Sequence, residues 1–269
     1  MNQYIWRYLD LTKFIDLLQS KSIKLTRATS FSDPFEGTIN EYTHQAYLKR
    51  FHSDNLAKEY EEYKAAYLKV NSTWIKIGEN LKKEGVGTVL NNALSCIKDH
   101  TFINCWHINS YESEAMWRLY SKNIQESVVI KSTIPKITYK AGESFICKPV
   151  NYIDYSQETL FDDYFNAPFL QKRLSFKHEN EFRIIKQQLP LIDDEDNYKK
   201  LELNAKCSTE YIDIYLGDDF ENIIDEIIIS PFSPKWFQEI IKGLLDVYRI
   251  NVPLKSSEIT VQPFNIEAN

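Results

Sequence analysis

Alternation of apolar and polar positions predicts several strands that bury one face. Successive side chains of a strand point to opposite faces, so a buried set recurs with a period of two. In SIKLTR, Ile23 and Leu25 share a face with Arg27, whereas Lys24 and Thr26 point the other way. The other segments predicted as strands are 4–8, 101–107, 126–132, 143–155, 181–187, 200–204, 210–216, 224–230 and 259–264.

Apolar residues at helical spacing predict amphipathic helices near both ends of the chain. The first helix has Asp10 or Thr12 available as its N-cap, and a middle helix starts near Ser110 or Ser113. The apolar positions of the first helix are Leu11, Phe14, Ile15 and Leu18. Those of the last helix, in WFQEIIKGLLDVY, are Trp236, Ile240, Ile241, Leu244 and Val247.

A polar, tyrosine-rich segment at about 40–85 interrupts the strand pattern. Its weak helical periodicity, with a second helical stretch at 72–84, predicts a helical insertion over one side of the core. Residues 157–171 are also predicted as helix. No Pro/Gly/Ser linker, internal repeat or low-complexity tract divides the chain. The mixed order of elements therefore predicts a single α+β domain, residues 1–269, with a mixed, mostly antiparallel sheet.

Composition narrows the class of protein. The chain has 269 residues, a net charge of −6 and only 7 glycines, and it contains no Gly-rich loop of the dinucleotide-binding or P-loop type. A mildly acidic chain is not expected to coat nucleic acid non-specifically, because Lys and Arg side chains are the groups that bind phosphates. The 4 cysteines are scattered without a CxxC pair, so no zinc site is expected. With no secretory leader or membrane span in the sequence, we expect a cytoplasmic protein without a membrane partner.

Four clusters of polar and aromatic residues are candidates for a functional site. They are WRY at 6–8, RATSFSDPFEG at 27–37, CWHINSYESEAMWRLYS at 105–121 and SFKHENEFRI at 175–184. Each cluster also has a purely structural explanation. In order, these are core aromatics beside an exposed arginine, a turn, a core aromatic stripe, and a charged strand edge.

The stretch SFKHENEFRI separates into two faces if it forms a strand. Glu179, Glu181 and Arg183 then share one face, and Phe182 and Ile184 share the other. The apolar pair would anchor the strand to the core. Glu181 would lie beside Arg183 in a cleft, where nearby charges bias its ionisation.

The order of these clusters resembles the bacterial family known as domain of unknown function 2971. The matching motifs are TSFSDPFEG, FINCWHINSYESEAMWRLYS and SFKHENEFRI, supported by VNYIDY and IDEIIISPFSP. The resemblance spans about residues 4–250 without the insertion. Ser32 replaces the asparagine usual in the family's turn, and SKNIQES lacks the glycine that usually follows the tyrosine of the helix.

The layout of that family is similar to small ADP-ribosyltransferase-like domains, which cleave the nicotinamide–ribose bond of NAD. This similarity implies an ADP-ribosyltransferase-like fold, NAD as substrate and Glu181 as the catalytic carboxylate. Arg7 or Arg27 would hold the NAD phosphates, and Tyr8, Trp117 and Tyr120 would line the ring pocket. The full set of implied NAD-binding residues is Arg7, Tyr8, Arg27, Ser30, Trp117, Tyr120 and Arg183.

The resulting functional hypothesis is an NAD-dependent ADP-ribosyltransferase-like toxin or effector. It would modify a nucleic acid or a protein, in bacterial conflict such as phage defence, and an antitoxin or chaperone would be its partner. A non-catalytic nucleotide-sensing or protein-interaction module is the alternative. A metal-dependent nuclease is a third hypothesis, although no metal is expected in the first two. Its carboxylates would be Asp33, Glu36, Glu179 and Glu181.

Overall fold

The computed structural model describes residues 3–52, 65–70, 73–79, 85–157, 166–193 and 199–260. Within these ranges the strands form a nine-stranded sheet, a four-stranded sheet and a two-stranded sheet. In the nine-stranded sheet every pairing is antiparallel except the one between the last two strands along the chain. The prediction of an α+β chain with a mixed, mostly antiparallel sheet is therefore confirmed.

The strands have the following bounds. They are β1 (Tyr4–Asp10), β2 (Ser22–Arg27), β3 (Ala65–Val70), β4 (Thr73–Glu79), β5 (Thr101–Ile108), β6 (Ser127–Thr133), β7 (Ile146–Pro149), β8 (Asn151–Ile153), β9 (Gln171–Arg173), β10 (Glu181–Gln187), β11 (Leu191–Asp193), β12 (Lys199–Leu201), β13 (Tyr211–Tyr215), β14 (Glu226–Ile229) and β15 (Leu254–Ser256). The helices are α1 (Leu11–Ser20), α2 (Glu41–His52), α3 (Val86–Asp99), α4 (Glu114–Tyr120), α5 (Ile134–Ala141), α6 (Phe220–Ile223) and α7 (Lys235–Tyr248).

Strand β5 is the point at which the large sheet forks. A strand has two hydrogen-bonding edges, and β10 pairs with β5 along the whole of one edge, from Thr101 to His107. The other edge is shared, because β1 pairs only with His107 and Ile108 and β2 pairs only with Phe102 and Ile103. One wing of the sheet continues as β1–β6–β14–β15 and the other as β2–β13. The segment 104–106 of β5 lies between the two wings.

Local sequence accounts for several element boundaries. Asp10 is the N-cap of α1, where its carboxylate accepts a 2.9 Å hydrogen bond from the backbone N–H of Lys13. Ser113 caps α4 in the same way, with its hydroxyl accepting from the N–H of Met116. Both caps are among the residues that the sequence pattern offered for these positions.

The core follows the alternation of the strands. Phe182 and Ile184 on β10 are fully buried in the main hydrophobic cluster, together with Trp106 on β5, as predicted for the apolar face of SFKHENEFRI. On β1, Ile5 belongs to the same cluster, whereas Trp6 belongs to a smaller cluster on the opposite face. The large sheet is thus packed on both faces.

The predicted helical insertion differs from the structure. Helix α2 forms at its start, but β3 and β4 pair as an antiparallel hairpin where helix was predicted at 72–84. Residues 53–64, 71–72 and 80–84 of the segment lie outside the described residues. Strand β4 also pairs with β12, more than a hundred residues further along the chain. This long-range pairing outweighs a weak helical period, as tertiary contacts commonly do.

Four further predictions need correction or fall partly outside the description. The strand predicted at 143–155 is split at Val150 into β7 and β8, which belong to different sheets. Of the helix predicted at 157–171, residues 158–165 are not described and 167–169 form a short 3₁₀ turn. Residues 258–260 also form a 3₁₀ turn rather than the start of a strand, and 261–264 are not described.

Helix α7 forms, but it buries Phe237, Ile241 and Leu245, leaving the predicted Trp236, Ile240 and Val247 exposed.

None of the helices within the described ranges is both long and apolar enough to cross a membrane.

Candidate active site

A cleft of about 260 Å³ opens at the fork in the sheet. Residues of β1, β2 and β5 meet there with residues from α4 and from the start of β10. The lining residues are Trp6, Arg7, Tyr8, Leu9, Lys13, Thr26, Phe31, Ile103, Asn104, Cys105, Trp106, His107, Tyr120, Glu179 and Glu181. The cleft exists because β1 and β2 separate along the middle of β5.

The start of β10 brings two carboxylates to this cleft. Residues 174–179 form a 3₁₀ helix, and Asn180 ends it in the left-handed conformation with φ 40° and ψ 60°. Asn180 is bound to the end of β5, since its Nδ2 donates to the carbonyl of Ile108 at 2.6 Å. Glu179 therefore precedes the strand and does not lie on it, which corrects the prediction of one continuous strand face. Asparagine tolerates this left-handed backbone better than most residues.

Glu181 is held by two cations. Its Oε2 accepts a 2.6 Å hydrogen bond from Nε of Arg183, and its Oε1 accepts a 2.8 Å hydrogen bond from Nζ of Lys172. Lys172 also donates to Oε2 of Glu179. All four side chains are buried. Because buried charges need partners, this cluster positions the carboxylates firmly.

Arg183 connects the candidate site to a distant turn. Its Nη1 and Nη2 donate to the two carboxylate oxygens of Glu36 at 2.6 and 2.9 Å, in a bidentate pair. Nη1 also donates to the carbonyl of Phe169 at 2.7 Å. Arg183 is fully buried and is not among the residues lining the cleft. Arg183 was predicted to bind NAD, but the structure places it against Glu181 and Glu36 and outside the lining of the cleft.

The two carboxylates have opposite ionisation behaviour. Burial raises the pKa of Glu179 to about 7, with Glu181 contributing in the same direction against the opposing effect of Lys172. Burial acts on Glu181 as well, but the charges of Arg183 and Lys172 outweigh it and hold the pKa of Glu181 far below its usual range. At neutral pH Glu181 is a fixed anion, whereas Glu179 is able to gain and lose a proton.

Tyr120 and His107 complete this side of the cleft. Burial, followed by the nearby carboxylates of Glu179 and Glu181, raises the pKa of Tyr120 strongly, and its side chain is hydrogen-bonded to Glu179. His107 lies 2.6 Å from the carbonyl of Glu179 through Nδ1. A carbonyl only accepts, so Nδ1 carries the proton and Nε2 of the neutral ring is an acceptor. Burial lowers the pKa of His107, consistent with a neutral ring.

Arg7 provides a cation without a counter-ion. It lines the cleft, and it makes no hydrogen bond or ion pair with any described residue. Burial lowers the pKa of Arg7 to about 10, since removing water disfavours the charged form. A partly buried guanidinium in this state is suited to bind an anionic ligand.

Three predicted NAD-binding residues lie in the cleft and the others do not. Arg7, Tyr8 and Tyr120 line it. Tyr8 also accepts a hydrogen bond from the N–H of Ser113 at 3.0 Å. Glu181, predicted as the catalytic carboxylate, lines the same cleft.

Arg27, Ser30 and Trp117 are placed elsewhere. Arg27 donates to the carbonyl of Cys207 at 2.5 Å and to Asp99 at 3.3 Å, so its guanidinium stabilises the end of β2. Ser30 is exposed at the end of a 3₁₀ turn. Trp117 is completely buried and packs edge-to-face on Tyr8, with ring centroids 4.9 Å apart. These three are corrections, since none of them lines the cleft.

Sequence reasoning missed several residues of the site. Lys172 lies on the three-residue strand β9, which is too short to show a periodic pattern. Asn104 was within a recognised strand, and Trp6, Trp106 and His107 were within two of the candidate clusters. None of the four was named as a site residue, because alternation did not indicate that these strands face a cleft. A signal was available for His107, because a histidine inside a buried apolar strand is unusual.

The arrangement of the described carboxylates does not support the hypothesis of a metal-dependent nuclease. In the part of the chain that the structure describes, no group of three or more His, Cys, Asp or Glu side chains is placed to hold a metal ion. Both oxygens of Glu36 are bound to Arg183, and Oδ1 of Asp33 accepts from Arg173 at 3.1 Å. These carboxylates are therefore already paired with protein cations.

Two distant solved structures are among those to which this chain is similar. One is Thermus sp. 2.9 DarT in complex with ADP-ribosylated ssDNA, 9% identical, with a TM-score of 0.39 over 95% of this chain and 93% of that chain. The other is Thermus sp. 2.9 DarT in complex with NAD+, 7% identical, with a TM-score of 0.39 over 96% and 97%. At this TM-score the likeness assigns neither a family nor a function to the chain.

No family model and no curated protein matches the chain. Its resemblance to domain of unknown function 2971 therefore stays a prediction.

Proposed function

We propose that the protein is an NAD-dependent ADP-ribosyltransferase that cleaves the nicotinamide–ribose bond in the cleft at the fork. One observation carries this proposal. The cleft is lined both by the ionised carboxylate of Glu181 and by the guanidinium of Arg7, which has no counter-ion among the described residues. NAD supplies the complementary charges, a diphosphate and a ribose carbon that becomes positive as the bond breaks.

Arg7 is the group proposed to bind the diphosphate. Its planar guanidinium donates to two oxygens at once, which suits phosphate. A bound phosphate would restore the partner that this half-buried cation lacks in the protein. Lys13, at the mouth of the same cleft, adds a second positive charge, although its ammonium already lies 3.4 Å from Asp10.

Glu181 is proposed as the catalytic carboxylate. When the C–N bond breaks, its electron pair leaves with nicotinamide and the ribose becomes an oxocarbenium ion. A fixed anion in a buried site stabilises that charge more than water does. Arg183 and Lys172 hold the anion in place before the reaction, so no reorganisation is needed when the charge develops.

Glu179 is proposed to handle the proton of the acceptor. The acceptor's nucleophilic atom bonds to the ribose carbon and must lose its hydrogen. A group with a pKa near 7 is best suited to take that proton at neutral pH. Glu179 meets this condition, since burial raises its pKa to about 7, and it lines the cleft together with Glu181. The aromatic rings of Tyr8 and Tyr120 are proposed to flank the nicotinamide.

Release of nicotinamide from NAD by the purified protein tests the proposal. The informative variant is Glu181→Gln, which removes the charge and keeps the shape. Glu36→Gln is the matched control, because Glu36 also pairs with Arg183 but does not line the cleft. We expect a loss of about 100-fold or more in the rate for Glu181→Gln and a much smaller loss for Glu36→Gln. Equal rates in wild type and Glu181→Gln would refute the catalytic role.

A nucleotide-binding module without turnover is the second candidate. It is favoured by one observation, namely that both oxygens of Glu181 are already engaged by Arg183 and Lys172. Such a carboxylate has a structural role whether or not it is catalytic. Saturable NAD binding without nicotinamide release, even when a cell lysate supplies acceptors, would select this module over the enzyme.

The proposed acceptor is a nucleic acid or a protein. Labelled NAD incubated with lysate distinguishes the two, because nuclease treatment releases label from one acceptor and protease treatment releases it from the other. We also expect expression of the wild-type chain in a bacterial host to slow growth, and Glu181→Gln to relieve this effect. Equal toxicity of both forms would argue against a toxin that acts through this site.

A further inference from the structure

Three residues of β5 that line the cleft each have a buried polar atom with no hydrogen bond within the described part of the chain. Nε2 of His107 belongs to one face of the strand, and Oδ1 of Asn104 and Nε1 of Trp106 belong to the opposite face. The two side chains are only 2% and 1% exposed, and both line the cleft. Buried polar atoms nearly always have a hydrogen-bonding partner. Two such atoms on one face of β5, both on residues that line the cleft, therefore point to a ligand that supplies their partners.

The roles of the two atoms are fixed by their surroundings. The side-chain amide of Asn104 donates from Nδ2 to the carbonyl of Lys24 at 2.7 Å, which sets the amide's orientation and leaves Oδ1 as an acceptor. The indole nitrogen of Trp106 is a donor only. The ring of Trp106 belongs to the main hydrophobic cluster, so it is held in position by packing. This face of β5 thus presents one acceptor and one donor, whereas the acceptor Nε2 of His107 belongs to the opposite face.

Arg7 faces the same side of the sheet as these two residues. Asn104 and Trp106 are two positions apart on β5, so they share a face with their Cα atoms about 7 Å apart. Ile108 is on the same face of β5 as Trp106, and it pairs directly with Ile5 of β1. Arg7 is two positions after Ile5, so its side chain points to that face as well. These three residues therefore meet where β1 and β2 diverge from β5.

We propose that Asn104 and Trp106 recognise a planar edge carrying a hydrogen-bond donor beside an acceptor, on a nucleotide whose phosphate is bound by Arg7. The donor of the ligand pairs with Oδ1 of Asn104, and its acceptor pairs with Nε1–H of Trp106. The carboxamide of nicotinamide and the amino-pyrimidine edge of adenine both have this chemistry. For nicotinamide the inference rests on the proposed function and deepens it, because the pair would then select the amide over the acid.

Binding of four mononucleotides tests this recognition. Nicotinamide mononucleotide is compared with nicotinic acid mononucleotide, and AMP with purine riboside 5′-monophosphate. The second member of each pair lacks the donor. We expect one first member to bind about five- to tenfold more tightly than its partner, the range that one hydrogen bond provides. The acid's extra negative charge is attracted by Arg7 and repelled by Glu181, so a preference for the amide identifies hydrogen-bond recognition only if Trp106→Phe reduces it. AMP and purine riboside 5′-monophosphate carry the same charge, so a preference within that pair identifies it directly. The nucleotide pair that shows the preference tells whether the recognised edge belongs to nicotinamide or to adenine.

Trp106→Phe tests the donor with the ring volume largely kept. We expect it to weaken binding of the preferred nucleotide about five- to tenfold. Trp117→Phe is the matched control, since that indole is also buried but donates to Glu112 and does not line the cleft. It should leave the affinity unchanged.

Equal affinities within both nucleotide pairs, or no binding of any of the four, would overturn the inference. So would wild-type affinity in a folded Trp106→Phe variant. If Trp106→Phe does not fold, the comparison of nucleotides on the wild-type protein still decides. The proposed function can fail while this inference holds. In that case the protein releases no nicotinamide from NAD but still prefers the nucleotide that carries the donor.

Discussion

The ammonium group of Lys172 donates a 2.8 Å hydrogen bond to Oε1 of Glu181, and it also contacts Glu179. One lysine thus bridges the two carboxylates of the cleft. Although burial alone lowers the pKa of Lys172, the charge of Glu181 and hydrogen bonds to both carboxylates raise it well above its ordinary value. Lys172 is therefore charged, and it offsets the negative charge of the carboxyl groups that it contacts.

Replacing Lys172 by methionine should destabilise the protein by about 3 kcal/mol, because a buried charge cluster loses one cation. Urea unfolding measures this change. Lys199→Met is the matched control, since Lys199 pairs with Asp193 on the surface and its loss should cost less than about 1 kcal/mol. Lys172→Arg should recover part of the stability. Similar losses for Lys172→Met and Lys199→Met would contradict a central role for the bridge.

Glu179 should make stability fall as pH rises from about 4.5 to about 7. In this window the unfolded carboxyl, with its ordinary pKa of 4.5, is ionised, whereas the folded one retains its proton up to about pH 7. Unfolding then releases a proton, so the free energy of unfolding decreases with pH. The stabilising charge of Glu181 is complete above pH 4.5, because its pKa is lowered, and it does not vary in this window.

The variant Glu179→Gln isolates this effect from other titrating groups such as His107. Relative to wild type it should gain on the order of 2 kcal/mol between pH 4.5 and 7.5. Unfolding free energies at several pH values provide the measurement. A constant difference between the two proteins across this range would show that Glu179 does not titrate there.

Arg7 and Arg27 should respond in opposite ways to replacement by methionine. Arg7→Met removes a half-buried cation without a counter-ion among the described residues. It should weaken NAD binding at least tenfold, as loss of a charge-assisted contact does, and leave stability equal or higher. Calorimetric titration and thermal unfolding measure the two quantities.

Arg27→Met should lower stability by about 1–3 kcal/mol, because its guanidinium donates to Asp99 and to the carbonyl of Cys207. Its NAD affinity should equal that of the wild type. If Arg27→Met instead loses NAD binding while Arg7→Met retains it, the assignment of the phosphate site is reversed.

Gly37 should be intolerant of a side chain. Its φ is +65°, and an added Cβ would overlap Cε1 of Phe169. Gly37→Ala should therefore cost about 1–3 kcal/mol, and more if Phe169 cannot shift. The carbonyl of Phe169 accepts from Arg183, so displacement of Phe169 would also disturb Glu181 and reduce activity.

Gly243 provides the contrasting case for the same substitution. It lies inside α7 with open space around it, so Gly243→Ala should stabilise the protein by up to about 1 kcal/mol through helix propensity. Thermal unfolding of the two alanine variants gives the comparison. Destabilisation of both by the same amount would mean that the contact with Phe169 is not the cause.

Local features of the fold were predictable because neighbouring residues determine them. The N-cap at Ser113 and the ion pair between Glu114 and Arg118, at 2.7 Å, follow from spacing within one helix. The burial of Phe182 and Ile184 follows from alternation within one strand. Weak periodicity failed at 72–84, where pairing with β12 favours a strand.

The sequence by itself determined the α+β class and most strand positions. These depend on periodicity and side-chain chemistry, which are local properties, whereas the resemblance of the motifs to a family implied Glu181 as the residue to test. Only the tertiary structure decided that β1 and β2 share one edge of β5, and hence that Arg7 rather than Arg27 lies in the cleft. It alone also joined Glu36 to Arg183 across 147 positions. Pairing over such distances depends on the energy of the whole packed sheet, and no single stretch of the sequence specifies it.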